Sequence, residues 1–313
     1  MISTADVERA AARIEGRIRR TPVFAADDGV WFKLEQLQHT GSFKARGAFN
    51  RILAAGEHSA VVAASGGNAG LAVAHAAREF GVPARVYVPA TAPAVKVAKL
   101  RQLGAAVDLV GEKYADAYDA AVKHAADSGA LFCHAYDQPD ICAGQGTLGL
   151  ELLAQTGGLD TILVAVGGGG LLAGVAAAVE GRARVVGVEP RTIPTLNAAL
   201  AAGAPVSVEV SGIAADSLGA TRLGDIAFAV ATRTNAGSVL VDDAMIGKAR
   251  AALWDRYRLA VEPGGATAFA ALLAGAYRPA PGERVAVVLC GANTDPATLT
   301  SPTAGPPAGR TPR

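Results

Sequence analysis

The chain has 313 residues, of which 51% are hydrophobic and 18% charged, so it can bury a sizeable core and its length suits two domains. Its 29 basic and 28 acidic residues nearly cancel, which excludes a strong global field for nucleic acid or an anionic membrane and favours small-molecule chemistry. Apolar runs such as 171–179 are too short to span a bilayer, which needs about 20 apolar residues.

The three cysteines, Cys133, Cys142 and Cys290, are scattered and lack Cys-x-x-Cys spacing. This spacing argues against a disulfide framework or a zinc cluster and predicts a reduced, cytoplasmic setting. At the N-terminus, residues 1–20 interleave arginines and acids with alanines. They predict an amphipathic helix rather than a secretory signal.

Strand and helix patterns then alternate along the chain. Residues 30–34 alternate as a strand does and 45–53 read as a helix, so Lys44 is predicted to begin a helix. Further strands are predicted over 60–64, 84–88, 106–110, 161–166, 184–188 and 285–289. The alternation predicts an α/β fold of mostly parallel sheets covered by helices.

Two domains are predicted, with the site between them. The segment 139–146 interrupts the helical pattern of 137–156, which predicts a crossing between lobes near 135–143. We therefore expect a large domain from 1–40 and 142–300 and a small domain from 41–141. The Pro-, Gly- and Thr-rich residues 301–313 predict a disordered tail.

Lys44 is a candidate nucleophile. An amine among apolar neighbours such as Phe43 loses its proton more easily than one in water, and can then attack a carbonyl. A lysine in the first turn of a helix is more often a solvated charge. Glycine-rich loops further along the chain, each between a predicted strand and a predicted helix, favour the functional interpretation.

Three strand ends carry possible ligand groups. Ser65, Gly66, Gly67 and Asn68 open a helix, so their N–H groups can converge on a carboxylate, although a plain turn explains them equally well. Four glycines and a leucine form a candidate phosphate loop that departs from GxGxxG: Gly167, Gly168, Gly169, Gly170 and Leu171. Cys290 could hydrogen-bond a ring nitrogen, although free cysteines are usually small buried hydrophobes.

Four motifs in order, TGSFKARGA around Lys44, SGGN at 65–68, GQGT at 144–147 and GGGGL at 167–171, resemble the serine/threonine dehydratase family. The resemblance covers about 21–295. It implies a two-lobed fold-type II enzyme, similar to the tryptophan synthase β chain. Each lobe is then a mostly parallel twisted sheet covered by helices. The implied cofactor is pyridoxal 5′-phosphate, and the implied assembly is a homodimer.

The resemblance also implies roles for these residues. Lys44 bonds covalently to the cofactor and acts as a base, while Phe43 lies beside the ring. Asn68 bonds the phenolic oxygen, the loop 167–171 holds the phosphate, and Cys290 faces the pyridine nitrogen. The segment Ser65 to Asn68 grips the substrate carboxylate, and Glu262 lines the pocket.

The implied reaction removes the β-hydroxyl of L-threonine or L-serine and gives 2-oxobutanoate or pyruvate plus ammonia. Serine racemases carry a serine at the position of Gly66, so we expect elimination without efficient racemisation. Racemase-like members hold a divalent cation with a glutamate matched by Glu189 and an aspartate replaced here by Thr195, so no metal site is expected. The short segment after the last strand predicts a catabolic enzyme without feedback regulation.

Alternatives remain on the same fold: a dehydratase of 3-hydroxyaspartate or a bulkier β-hydroxy amino acid, a serine racemase, or a β-replacement synthase. The synthases favour a Thr-Ser-Gly-Asn loop, which SGGN does not match. A dinucleotide oxidoreductase or an inactive ligand-binding relative would have no use for Lys44. The residues that set substrate specificity stay open, with Tyr136 and 211–219 as candidates.

Overall fold

A computed structural model describes residues 1–26 and 29–299, so the predicted tail lies outside the described residues. Two sheets organise this part of the chain. The larger has six strands in the order β1-β2-β10-β7-β8-β9, and the smaller has four in the order β5-β4-β3-β6. Among the strands of these two sheets, β1 pairs antiparallel with β2 and the other described strand pairs are parallel. The predicted α/β class is confirmed.

The strands of the six-stranded sheet are β1 Val23–Ala25, β2 Val30–Lys33, β7 Thr161–Ala165, β8 Arg184–Pro190, β9 Gly237–Val241 and β10 Val285–Val288. Those of the four-stranded sheet are β3 Val61–Ala64, β4 Ala84–Val88, β5 Ala106–Leu109 and β6 Leu131–Cys133. Strands β3, β7 and β10 are buried along their whole length, as continuous apolar runs in parallel sheets are. The short strands β1 and β6 and the half-buried β9 were not predicted.

The helices are α1 Thr4–Ile14, α2 Lys44–Ala54, α3 Asn68–Glu79, α4 Ala94–Gln102, α5 Tyr114–Ser128, α6 Pro139–Thr156, α7 Gly170–Ala178, α8 Thr195–Ala202, α9 Ala215–Leu218, α10 Asp225–Arg233, α11 Asp243–Tyr257 and α12 Pro263–Leu273. Short 3₁₀ helices cover Glu35–Leu37, His39–Gly41 and Pro296–Thr298. None of these described helices is long and apolar enough to cross a membrane. Lys44 begins α2, as predicted.

The helix predicted over 1–20 is shorter in the structure. Helix α1 begins after Ser3, which forms a capping box with Asp6, and it ends at Ile14 because Glu15 leaves the helical region. Its buried face consists of Val7, Ala10 and Ile14. The amphipathic character is therefore confirmed, whereas the predicted C-terminal limit is wrong.

The predicted interruption at 139–146 is also wrong, because α6 runs unbroken over 18 residues. Pro139 occupies the first turn, where its missing N–H costs nothing. Gly144 and Gly146 of α6 allow close packing against α2 and α7. A Cβ on Gly144 would lie 2.6 Å from the Arg46 carbonyl oxygen, and a Cβ on Gly146 would lie 2.4 Å from the Gly174 carbonyl oxygen. The domain limits that we expected stay a prediction.

A buried network of charges holds α2 against its neighbours. The Arg46 guanidinium, which is fully buried, donates to both carboxylate oxygens of Glu35 at 2.8 Å and to Glu151 Oε1 at 2.7 Å. Lys33 Nζ donates to Glu151 Oε2 at 2.7 Å. Two cations thus balance two carboxylates out of water, which ties α2 to the Glu35–Leu37 turn and to α6.

Replacing Arg46 with methionine should lower the free energy of unfolding by about 3–5 kcal/mol, because two buried carboxylates would then share one cation. Denaturant unfolding measures the change. The control is Arg85→Met, which breaks the partly exposed pair with Asp108 and should cost less than about 1 kcal/mol. Equal losses in the two variants would contradict a structural role for the buried network.

Candidate active site

A cavity lies at the carboxyl end of β7 and beside the start of α2. Its empty space is about 460 Å³, part of it open to solvent. The lining comprises Phe43, Lys44, Asn68, Tyr136, Ala165, Gly167, Gly168, Gly169, Gly170, Leu171, Ser217, Leu218, Glu262 and Cys290. All residues predicted to bind the cofactor therefore meet in one place, together with Glu262.

Lys44 supplies the amine of this cavity. Its Nζ donates to the Ala135 carbonyl at 2.6 Å and lies 5.1 Å from the centroid of the Phe43 ring. Burial lowers the pKa of Lys44 to about 8, against the opposing influence of the nearby acidic groups. The amine is therefore unprotonated much more often near neutral pH than an ordinary lysine is, and it can act as a nucleophile or a base.

The glycine loop joins β7 to α7. Gly169, with φ at +85°, is the N-cap of α7, so the first N–H groups of that helix point out of it and favour an anion. A Cβ on Gly168 would lie 2.3 Å from the Tyr136 ring, and one on Gly167 would lie 2.8 Å from the Leu218 carbonyl oxygen. Only glycine fits these two positions, so no side chain there separates the backbone from the cavity.

A chain of amides connects the cavity to the end of β10. Asn68 Nδ2 donates to Glu262 Oε1 at 2.6 Å, and Asn293 Nδ2 donates to Asn68 Oδ1 at 2.6 Å and to the Thr40 carbonyl at 2.7 Å. Burial raises the pKa of Glu262 to about 7, although the bond from Asn68 opposes the shift. Sequence reasoning did not include Asn293; its only signal was its place three residues after Cys290.

Cys290 is buried in the cavity wall. Burial raises the pKa of its thiol, so the group stays neutral. Its Sγ lies 3.6 Å from the Gly264 carbonyl oxygen and donates to it. This wall therefore offers a neutral, weakly polar group.

The loop before α3 stands beside the cavity. Gly67 N–H donates to Ser65 Oγ at 3.2 Å, and α3 begins at Asn68. Ser65, Gly66 and Gly67 do not line the cavity, in contrast to Asn68. A Cβ on Gly66 would meet Val88 Cγ1 at 3.5 Å, an ordinary contact, so this position has room for a side chain.

Tyr136 and α9 form another part of the wall. From α9, Ser217 and Leu218 line the cavity, and Ser217 Oγ accepts the N–H of Gly264 at 3.2 Å. An ion pair between Lys96 of α4 and Asp216 joins α9 to the helices around the smaller sheet. The specificity candidates Tyr136 and 211–219 thus include three residues of the wall.

Glu189, which the sequence resemblance matched to a metal ligand of racemase-like members, is hydrogen-bonded to α8. Its Oε1 accepts the Leu196 N–H at 2.7 Å and its Oε2 accepts the Asn197 N–H at 2.9 Å. The Thr195 hydroxyl lies 3.0 Å from Glu189 Oε1 and 2.5 Å from the Gly167 carbonyl oxygen. Within 1–26 and 29–299, no cluster of three or more His, Cys, Asp or Glu side chains could hold a metal.

Comparison with known proteins identifies the family of the chain. Residues 14–291 match the family described as "Pyridoxal-phosphate dependent enzyme". The chain belongs to this family. It is 39% identical to phenylserine dehydratase of Ralstonia pickettii, with 92% of each chain covered. It is 35% identical to L-threonine ammonia-lyase of Thermotoga maritima, covering 94% of this chain and 76% of the relative.

Among solved structures, maize serine racemase is similar, with a TM-score of 0.89, 32% identity and 95% of each chain covered. The protein is therefore a pyridoxal-phosphate-dependent lyase of fold type II in the serine/threonine dehydratase group, and it acts on β-hydroxy amino acids. The cavity fits the cofactor: it combines an amine of lowered pKa, a bare glycine loop at a helix N-terminus and a neutral thiol wall.

Glu262 should make stability depend on pH. Its carboxyl binds a proton more tightly in the folded protein, with a pKa of about 7, than at its ordinary pKa of 4.5. Between these values the folded state binds more protons than the unfolded chain, so the free energy of unfolding falls as pH rises. In the cofactor-free protein, Glu262→Gln should remove a decline of up to about 3 kcal/mol between pH 4.5 and 8.

Urea unfolding at several pH values measures this difference between wild type and Glu262→Gln. Glu57→Gln, at an exposed position, is the matched control and should follow the wild-type curve. Parallel curves for wild type and Glu262→Gln would show that Glu262 titrates alike in the folded and unfolded protein.

Proposed function

We propose that the enzyme converts L-threonine to 2-oxobutanoate and L-serine to pyruvate, with release of ammonia. The β-hydroxyl leaves as water and one water is taken up at the final hydrolysis, so each amino acid gives one oxo acid and one ammonia. The observation that supports this most is the Lys44 amine, with a pKa of about 8, in the same cavity as the glycine loop. Its relatives include L-threonine ammonia-lyases.

Lys44 provides the covalent attachment for the cofactor and the base for the α-proton of the substrate. Pyridoxal phosphate, when bound, supplies the electron sink that makes this proton acidic. The N–H groups from Gly167 to Leu171 would hold the phosphate, and Asn68, which accepts a hydrogen bond from Asn293, would donate to the phenolic oxygen. Cys290 would offer the pyridine nitrogen a neutral partner.

The start of α3 binds the substrate carboxylate in this proposal. The N–H groups of the segment Ser65 to Asn68 lie at a helix N-terminus, where the helix dipole favours an anion. Ser65 Oγ already accepts from Gly67, which stabilises the turn. Glu262 accepts a hydrogen bond from Asn68. Because the pKa of its carboxyl is about 7, Glu262 can exchange a proton with a bound substrate at neutral pH.

A β-aryl amino acid is the second candidate substrate. The specific observation is the similarity to phenylserine dehydratase, at 39% identity over 301 residues. Two wall residues, Tyr136 and Leu218, could contact an apolar side chain. The two candidates share every role given to Lys44 and the glycine loop, so only a substrate comparison separates them.

A homodimer in the cytoplasm completes the proposal. The resemblance to the dehydratases supports the homodimer. The cytoplasm is supported by three cysteines that are free thiols in the described part of the chain, namely Cys133, Cys142 and Cys290. Buried thiols of this kind persist in a reducing compartment.

The reaction can be followed by proton NMR of the cofactor-loaded enzyme in heavy water with L-serine, L-threonine and L-threo-3-phenylserine, together with chiral analysis of the remaining amino acid. We expect oxo acid without D-isomer. Lys44→Ala should reduce the rate by at least about 10²–10⁴-fold, because the base is lost. The exposed Lys99→Ala is the control and should keep full activity. Incorporation of deuterium at the α-carbon without oxo acid would contradict the dehydratase assignment.

Gly66→Ser tests the prediction that this position limits racemisation. A serine hydroxyl there would offer a proton opposite Lys44, and the 3.5 Å contact with Val88 leaves room for it. D-serine should then appear from L-serine while elimination continues. Gly67→Ser, next to it and equally free of steric conflict, is the matched control and should give no D-serine. If Gly66→Ser forms none either, our assignment of this position is wrong.

A further inference from the structure

The connection between β6 and α6 touches three parts of the site. The Ala135 carbonyl accepts from Lys44 Nζ at 2.6 Å, and the Tyr136 ring covers Gly168. The Asp137 carboxylate accepts the N–H groups of Asp225 and Ile226 at 3.1 Å each, which caps α10. The conformation of one short turn therefore sets the surroundings of the catalytic amine.

The His134 ring holds this turn from inside. Its Nδ1 accepts the N–H of Tyr136 at 3.1 Å and that of Asp137 at 2.8 Å. The backbone N–H of His134 donates to Gln138 Oε1 at 2.9 Å, and Gln138 Nε2 donates to the Phe132 carbonyl at 3.2 Å. Two side chains thus satisfy the backbone groups on both sides of Ala135.

The ring can do this only in its neutral form, because a protonated Nδ1 would be a donor facing two donors. Its neighbours favour that form. The rings of Tyr118, Phe132 and Tyr136 contact it edge to face, with centroids 5.6, 6.3 and 4.6 Å away. Burial lowers the pKa of His134 to about 4; nearby Asp137 opposes the shift and Lys44 adds to it.

We infer that His134 is a positioning residue for Lys44: its Nδ1 fixes the turn whose Ala135 carbonyl holds the lysine amine in place. The inference rests on the proposed role of Lys44 as the base. None of the roles assigned to the cavity by the resemblance includes His134, which acts through the backbone and not on the substrate.

The contact has two consequences for the amine. The carbonyl restricts the position of Nζ whenever Lys44 is not bonded to the cofactor, which holds the amine in place in the cavity wall. The carbonyl also stabilises the charged form of the amine, because it accepts a hydrogen bond from the ammonium group. A turn that loses His134 should therefore leave Lys44 more mobile and with a lower pKa.

Two variants test this inference. His134→Asn retains an acceptor, Oδ1, near the place of Nδ1, whereas His134→Leu removes the acceptor. In the loaded enzyme we expect His134→Leu to lower kcat by about 10- to 100-fold with KM for the best substrate nearly unchanged. His134→Asn should recover most of this loss. A third variant, His134→Gln, places its acceptor further from the backbone and should behave as His134→Leu does. It replaces the leucine variant in this test if that variant does not fold.

A second readout needs no turnover. After removal of the cofactor, the pH dependence of the rate at which pyridoxal phosphate bonds to Lys44, followed by absorbance, reports the pKa of the amine. His134→Leu should lower that pKa by about one unit and His134→Asn should not. If thermal stability falls but the pKa of Lys44 stays at the wild-type value, or if leucine and asparagine lower kcat equally, His134 is merely structural.

This readout also separates the inference from the proposed function. If wild type gives no oxo acid from any tested substrate, the proposed function fails, while the rate of cofactor attachment still tests His134. If wild type is active and the pKa of Lys44 is the same in all variants, the inference alone fails.

Discussion

The close approach of three helices is the constraint on which the site depends. A Cβ on Gly47 would lie 2.8 Å from the Ile141 carbonyl oxygen, and Gly144 and Gly146 bring α6 equally close to α2 and α7. Lys44 begins α2 and Gly170 begins α7, so the packing of both helices on α6 fixes the amine relative to the glycine loop. Larger residues at these contacts would separate the two halves of the site.

The charges in the cavity are balanced close to neutrality. Burial lowers the pKa of Lys44 to about 8 and raises that of Glu262 to about 7. The two pKa values, which differ by about six in water, therefore differ by about one in this cavity. Proton exchange between such groups and a substrate costs little free energy. The neutral thiol of Cys290 adds no fixed charge, so the protonation of these two groups determines the local field.

The sequence predicted the parts of the site that lie at strand ends. Lys44 begins a recognisable helix. The loop before Asn68 follows β3 of the smaller sheet and the glycine loop follows β7 of the larger one, and ligand groups gather at the carboxyl ends of parallel strands. Asn293 and His134 escaped prediction because their roles depend on partners distant in sequence or on the shape of a turn. The interruption predicted over 139–146 was wrong because glycine in a helix can mean a break or a close contact, and only the neighbouring helix decides between them.

The position of Thr195 shows how a single substitution changes what the same backbone does. Glu189 accepts two N–H groups of α8, although burial outweighs them and raises the pKa of its carboxyl to about 7. The Thr195 hydroxyl reaches the Gly167 carbonyl at 2.5 Å, which joins α8 to the first residue of the glycine loop. An aspartate there would place a second carboxylate beside Glu189 and near the Gly167 carbonyl oxygen, an arrangement that a cation or a shared proton would stabilise. In this chain the hydroxyl of Thr195 makes the connection between α8 and the loop through a hydrogen bond.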